Sequence, residues 1–413
     1  MRNGRERLAR SYLFGPKVLT VLRVGLFSNA YHPVINGVVN SIEGIVSGLK
    51  ERGHEPHLFA PEVRGYRDLD TTVHRFASIE LPKRVSYPIP IPYSGRLFRL
   101  IKRLDFDIIH AHHPVLLGEV AASFARRKKV PLVYTFHTQL EQYTHYIPLN
   151  QQMVKVMARS RMTRYLDKCD LVIAPSEGVR EVLDRYKVTT RVVTLPNAID
   201  IDRFGQVSHG RDWRTELGIP TDAVVSLSVG RLAKEKNLDF LLEAFSLVAQ
   251  QENQYLVVVG DGGEQARLES LVVRRGLERK VKFTGELAYD EMPSIYQACD
   301  LFVISSTTEV KPLAVLEALA SGLPVLAVAA CGTTDTLHHG VDGWLSPLDL
   351  QAYVQGWNTL ASDQPLRARL GCAARATARD YSFSGYLERL TELYRETIAG
   401  YARPLALGVS GAV

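Results

Sequence analysis

Cysteine is scarce. Cys169, Cys299, Cys331 and Cys372 are the only four in 413 residues, lie far apart and match no metal-ligand spacing. That excludes a disulfide framework and a zinc module, and fits reduced core thiols in a reducing compartment. No uninterrupted apolar run reaches the length that crosses a bilayer. The opening residues MRNGRERLARSYLFGPKVLTVL are basic, but they lack a long apolar segment and a small-residue cleavage site. Residues 1–20 are therefore read as a loose extension, or as translation from an upstream start, and not as an export signal. G-x-G-x-x-G is absent, which removes the dinucleotide fingerprint. Aromatics are sparse among the basic residues: Ser94–Leu104 holds only Phe98. This speaks against a nucleic-acid partner, which would be read by aromatics interleaved with Lys and Arg.

What the chain does have is 46% apolar residues and enough length for two cores. Charge is unevenly divided. Through Phe204 there are 31 basic against 19 acidic residues, and beyond it 19 against 25. The basic half is expected to meet an anionic surface. Ser94–Leu104 (SGRLFRLIKRL) sharpens that expectation. Leu97, Leu100, Ile101 and Leu104 fall on one helical face and Arg96, Arg99, Lys102 and Arg103 on the rest, the pattern of an interfacial helix. The same pattern also suits a domain helix with a wet basic face. Arg126–Lys129 and the run Lys155–Arg164 add to the basic surface.

Apolar runs alternating with helical patterns make this an α/β chain. Strand Val21–Phe27, loop, helix Gly37–Leu49 and strand Gly53–Ala60 open a doubly wound sheet, in which ligands lie beyond the strand ends. Strands Asp107–Ala111, Pro131–Phe136, Asp170–Ala174 and Arg191–Leu195 continue it, with Ser176 as a helix cap. Gly37 would let backbone approach a ligand at a helix mouth. The strand Pro131–Phe136 ends at His137, which the switch-point rule puts in the ligand crevice. His110, His112 and His113 invite a metal, but no Cys or carboxylate stands at a supporting spacing; His137, Glu141 and His145 could line one helical face as metal ligands only if their segment is helical. Asp105–Asp107 and Asp200–Asp202 are D-x-D triplets of a kind common by chance. The expectation is no metal and no cofactor.

The second half restarts the pattern. Strand Ala223–Val229 leads into Gly230-Arg-Leu-Ala-Lys-Glu-Lys-Asn237 and the helix Leu238–Gln250. Arg231 and Lys236 suit a pyrophosphate, one as a bidentate fork and the other as a point charge. Tyr255–Gly260 and Val281–Gly285 follow as strands. Asp300–Ile304 then leads into SSTTEVKPLAVLEALASG, a strand–loop–helix corner in which Pro312 is placed in the first helical turn. Glu309 sits in the loop, and Glu317 two turns into an otherwise apolar helix. A carboxylate there needs a partner, and sugar hydroxyls would serve. The helix N-terminus offers N–H groups to a phosphate. A sugar nucleotide would use all of these.

Glu309 and Glu317 resemble the E-x7-E motif of the retaining glycosyltransferases of family 4. Several other stretches resemble the same family in order: Gly230–Asn237 its G-R-(x)n-K segment, Gly260–Gly263 its V-G-D-G-P, Pro196–Phe204 its inter-domain P-N-G-(V/I)-D, and Tyr381–Phe383 its closing segment. Phe136–Pro148 is most similar to bacterial diacylglycerol glucosyltransferases. The likeness covers Val21 to Ala399. It implies two Rossmann-like domains facing a cleft (GT-B): an acceptor domain at 21–204, a nucleotide-sugar domain at 205–380, a crossing helix at 381–400 and a tail at 401–413. It implies that Gly37, Gly230, Arg231, Lys236, Gly260, Glu309, Lys311, Leu313 and Glu317 bind the donor, with His137, Arg231, Lys236 and Glu309 acting in transfer. Partners would be a nucleoside-diphosphate sugar, UDP-glucose being the leading candidate, and a lipid or other hydroxyl acceptor. The enzyme would be cytoplasmic and peripheral on the inner face of the cell membrane. A soluble acceptor, or a sugar-nucleotide epimerase on this fold, is the alternative. Lys311-Pro312 stands where the family has a polar residue and Gly. Pro312 removes an N–H from the distal phosphate, and Lys311 could restore a full charge there.

Overall fold

The computed structural model describes residues 21–34, 36–80, 88–137, 151–206, 211–250 and 253–407. Outside them fall the N-terminal extension and most of the Phe136–Pro148 segment, with Glu141 and His145. The first sheet is parallel: β1 (Arg23–Phe27), β2 (Glu55–Pro61) and β3 (Val73–Phe76), then, beyond a short antiparallel pair β4 (Ser78–Ile79) and β5 (Ile89–Pro90), β6 (Ile108–Ala111), β7 (Leu132–Thr135), β8 (Leu171–Ala174) and β9 (Val192–Thr194). Its order is β3-β2-β1-β6-β7-β8-β9. Four-residue runs such as Ile108–Ala111 and Leu171–Ala174 are buried along their whole length, as strands covered by helices on both faces must be.

A second parallel sheet follows: β10 (Val224–Val229), β11 (Gln254–Val259), β12 (Val281–Gly285), β13 (Leu301–Ile304), β14 (Val325–Val328) and β15 (Gly343–Ser346), in the order β12-β11-β10-β13-β14-β15. Strand order reverses at β1 in one sheet and at β10 in the other, so the loops after β1 and β6, and after β10 and β13, border the two ligand crevices. This is the GT-B arrangement of two Rossmann-like domains.

The chain returns to the first sheet at its end. Helix Phe383–Leu407 buries Leu387, Leu390, Leu393 and Tyr394 in one cluster with Leu22, Val24 and Ile42. Gly48 permits the approach: a Cβ there would lie 2.0 Å from Leu387 Cδ1. The helix runs past the expected end at residue 400 to Leu407, because Gly400 costs it only about 1 kcal/mol and stops nothing.

Three expectations need correction. Pro312 is not in the first helical turn; it is the extended N-cap residue, and the helix starts at Leu313. The thiols are not all in the core: Cys169 and Cys299 are buried, Cys331 is partly exposed and Cys372 is exposed. The helix Gly95–Arg103 has no apolar face to give a lipid surface. Leu97 and Ile101 are buried in the first domain's core, with Phe98, Leu100 and Leu104 packed against it. Only Arg96, Arg99, Lys102 and Arg103 face outward.

Candidate active site

Two loops make the floor of the second crevice. After β10, Gly230 bends at φ 153°, and after β11, Gly260 bends at φ 131°. The backbones touch there, since a Cβ on Gly260 would lie 2.1 Å from the Gly230 carbonyl oxygen. Neither position tolerates a side chain, which is the physical content of these two glycines. The loop then turns through Lys234–Lys236, and the loop after β13 clasps it: Ser305 Oγ donates to the carbonyls of Lys236 and Asn237, both at 3.0 Å, and Ser306 Oγ to that of Glu235 at 3.1 Å. A pocket opens between them, lined by Gly230, Arg231, Lys236, Ser305 and Ser306 among others.

Of the sequence-predicted residues, Arg231 and Lys236 line this pocket, and Glu309 reaches its edge through Lys236. Lys236 Nζ pairs with Glu309 Oε1 at 2.6 Å. Arg231 is held by Glu235, whose side chain is buried and which the sequence reading did not single out. Leu313 begins the helix Leu313–Ser321, and the first N–H groups of a helix have no carbonyl partner within it. Across the cleft, Gly37 of the helix Gly37–Glu51 faces that start, where a Cβ would lie 3.2 Å from Leu313 Cδ1.

Glu317 is buried on the inner side of the same helix and accepts a hydrogen bond from Tyr296 Oη at 2.8 Å. Burial pushes its carboxyl up to about 7, against the lowering effect of that bond. Nothing in sequence spacing marks Tyr296 as its partner.

Lys311 goes elsewhere. Its ammonium, expected beside the phosphates, is buried instead: it donates to the Asp335 carbonyl at 2.9 Å and to Tyr381 Oη at 3.1 Å, and lies over the Tyr381 ring. Burial pushes it down to about 8. Asp335 in turn accepts from the Gly178 N–H of the first domain at 2.8 Å. Lys311 and Asp335 thus tie the second domain to the first and to the returning chain.

On the first domain, the histidines form a row at the ends of β6 and β7. His110 is held by Tyr394 Oη at 2.7 Å and Thr135 Oγ1 at 2.8 Å, and His113 Nδ1 accepts from the Asn29 N–H at 3.1 Å. His112 Nδ1 and His137 Nε2 are 2.9 Å apart. Burial holds all four imidazoles well below their ordinary range, His110 and His137 at about 3. The row is therefore neutral at physiological pH. Among the described residues no group of three or more His, Cys, Asp or Glu is arranged to hold a metal. Asp107 is bound by Arg23 at 3.1 Å, and Asp200 caps the helix Ile201–Gly205.

The model for Glycosyltransferase Family 4 matches residues 35–203, and that for Glycosyl transferases group 1 matches residues 210–377. An alpha-monoglucosyldiacylglycerol synthase of Streptococcus pneumoniae is 32% identical over 74% of this chain and 71% of that protein. A GDP-mannose-dependent alpha-mannosyltransferase of Mycobacterium tuberculosis is 32% identical over 79% of this chain and 84% of that one. Among solved structures, HepE of Anabaena in complex with UDP superposes with a TM-score of 0.71 at 22% identity, covering 90% of this chain and 99% of that chain.

Proposed function

The chain belongs to glycosyltransferase family 4, and on that premise we propose that it moves a hexose from UDP-glucose to a lipid hydroxyl, diacylglycerol being the leading acceptor, with retention of anomeric configuration and without a metal. The observation that carries the transfer reading is the meeting of Arg231, Lys236 and Glu309 at the crevice of β10 and β13. The glycosidic C1–O bond to the diphosphate breaks as the bond from the acceptor oxygen to C1 forms, and the acceptor's hydroxyl proton passes to the departing phosphate oxygen. Negative charge then grows on the departing diphosphate. Arg231, Lys236 and the first N–H groups of the helix Leu313–Ser321 receive it, and such fixed charges and dipoles are the largest catalytic contribution open to a site of this kind. Lys236 and Glu309 pair with each other at the crevice; in the transfer Lys236 serves the phosphate and Glu309 the sugar hydroxyls, while Glu317 takes the ribose. Gly230 and Gly260 let the diphosphate lie against backbone, and Gly37 does the same from the acceptor side. His137 faces the sugar. Lys311 is left out of this set.

The lipid acceptor rests on two supports. One is the likeness to a glucolipid synthase over most of the chain. The other is the helix Gln151–Leu166, where Met153, Val156 and Met157 are 52%, 64% and 63% exposed and share one face, with Arg159, Arg161 and Arg164 exposed further along. Apolar side chains beside basic ones suit an anionic membrane surface. The protein would act from the cytoplasmic face as a peripheral enzyme. A panel of UDP- and GDP-sugars, each with diacylglycerol vesicles or a soluble acceptor, tests the reading through product and released nucleotide. Glucolipid from UDP-glucose supports it. Product only from a GDP-sugar, product only on a soluble acceptor, or donor conversion with no acceptor overturns the donor, the acceptor or the transfer itself.

A further inference from the structure

The hydrogen bond between His112 and His137 has a direction, and the burial of His112 decides it. His112 is 1% exposed, and its Nε2 has no hydrogen-bond partner among the described residues. Its Nδ1 lies 2.9 Å from His137 Nε2. A neutral imidazole carries one N–H and one lone pair, so the pair has two arrangements. In the first, His137 Nε2–H donates to His112 Nδ1. His112 must then hold its own proton on Nε2, a buried N–H with nothing to receive it. In the second, His112 Nδ1–H donates to His137 Nε2, and only a lone pair is left unmatched at His112 Nε2. Orphaned buried donors are rarer in proteins than under-used acceptors. The second arrangement is the one this pocket favours.

We propose that His112 is a positioning residue that fixes the tautomer of His137, keeping the His137 proton on Nδ1. His137 is then a hydrogen-bond donor through Nδ1 and has no lone pair there with which to act as a base. The ring of His112 is itself held. It lies 4.3 Å from the His110 ring, and His110 is fixed at both nitrogens by Tyr394 and Thr135. Tyr394 belongs to the returning helix Phe383–Leu407. The last helix of the chain thus sets, through His110 and His112, which atom His137 offers to its ligand. The consequence for turnover rests on the proposed transfer reaction; the tautomer does not.

The test uses full-length protein with 15N-labelled histidine and reads long-range proton–nitrogen correlations at pH 7, the His137 signals being assigned by their loss in His137→Gln. Wild type is expected to carry the His137 proton on Nδ1. His112→Leu removes the donor while roughly keeping the volume, and the His137 proton is expected to move toward Nε2. His112→Asn, whose amide can place an N–H where the imidazole had one, is expected to keep the wild-type tautomer. If UDP-glucose transfer is observed, His112→Leu should lower kcat by about 10²-fold, as misplaced catalytic groups do, with donor KM within about twofold. His112→Asn should recover most of that loss. A His137 proton found on Nε2 in wild type overturns the proposal whether or not any variant folds, as does an unchanged tautomer in folded His112→Leu. Absence of sugar transfer would sink the functional reading and leave the tautomer result to stand or fall by itself.

Discussion

Replacing Glu317 by Gln should change how the second domain's stability depends on pH. In the native state, burial holds the Glu317 carboxyl at about 7, against 4.5 for an ordinary glutamate. Its folded pKa is therefore above its unfolded one, and the folded protein holds the proton more tightly. Stability falls as pH rises between the two values, since the unfolded chain releases the proton first. With these two pKa values the loss from this group is about 0.8 kcal/mol at pH 5 and about 3.3 kcal/mol at pH 8, a swing of about 2.5 kcal/mol. A glutamine side chain has no charge to desolvate. It can still accept from Tyr296, and any cost of its unmatched amide hydrogens is the same at both pH values. The stability difference between variant and wild type should thus move by about 2.5 kcal/mol in the variant's favour from pH 5 to pH 8. Urea unfolding followed by tryptophan fluorescence isolates the right domain, because Trp213, Trp344 and Trp357 all lie in the second half. Parallel pH dependences for the two proteins would refute the reasoning, since they would mean that the Glu317 carboxylate is not desolvated.

The donor cations should matter more than any neighbour. Arg231→Ala and Lys236→Ala are each expected to lower turnover by about a hundredfold or more, and near-normal turnover in both, in a nucleotide-release assay, would remove them from the diphosphate. Activity should survive EDTA; loss restored by manganese or magnesium would give Asp200, Asp202 or the histidine row a metal role. Reversing Arg99, Lys102 and Arg103 to Glu should cut co-sedimentation with anionic vesicles steeply, at roughly 1 kcal/mol per residue brought near the surface, and leave donor affinity unchanged; equal binding would mean that this basic face meets only water.

The doubly wound strands and the crevices were legible because parallel strands buried on both faces are written as continuous apolar runs, such as Leu301–Ile304 and Leu171–Ala174. β3 and β15 escaped the sequence reading for the opposite reason. They are edge strands, only partly buried, and VHRF and GWLS carry no such signal. At the site, the meeting of Arg231, Lys236 and Glu309 could be foreseen from motif order, since each stands just beyond a strand end. The direction of Lys311 could not. Its spacing is compatible with a phosphate, but Tyr381, seventy residues on, offers a ring and a hydroxyl that a buried ammonium takes. Glu317–Tyr296 and His112–His137 have the same origin, because the partners are joined by packing and not by spacing. The helix Gly95–Arg103 repeats the point in reverse: its amphipathic pattern is real, but the core claims the apolar face that the sequence alone assigned equally well to a membrane.

The anomeric configuration of the product tests the central claim most directly. Wild-type protein, UDP-glucose and diacylglycerol vesicles should give a glucolipid whose anomeric proton, by NMR, has the α configuration of the donor, and Lys236→Ala should give almost none. A β-linked product would contradict retention. An α-glucolipid formed equally well by Lys236→Ala would contradict the assignment of the chemistry to the crevice where Arg231, Lys236 and Glu309 meet.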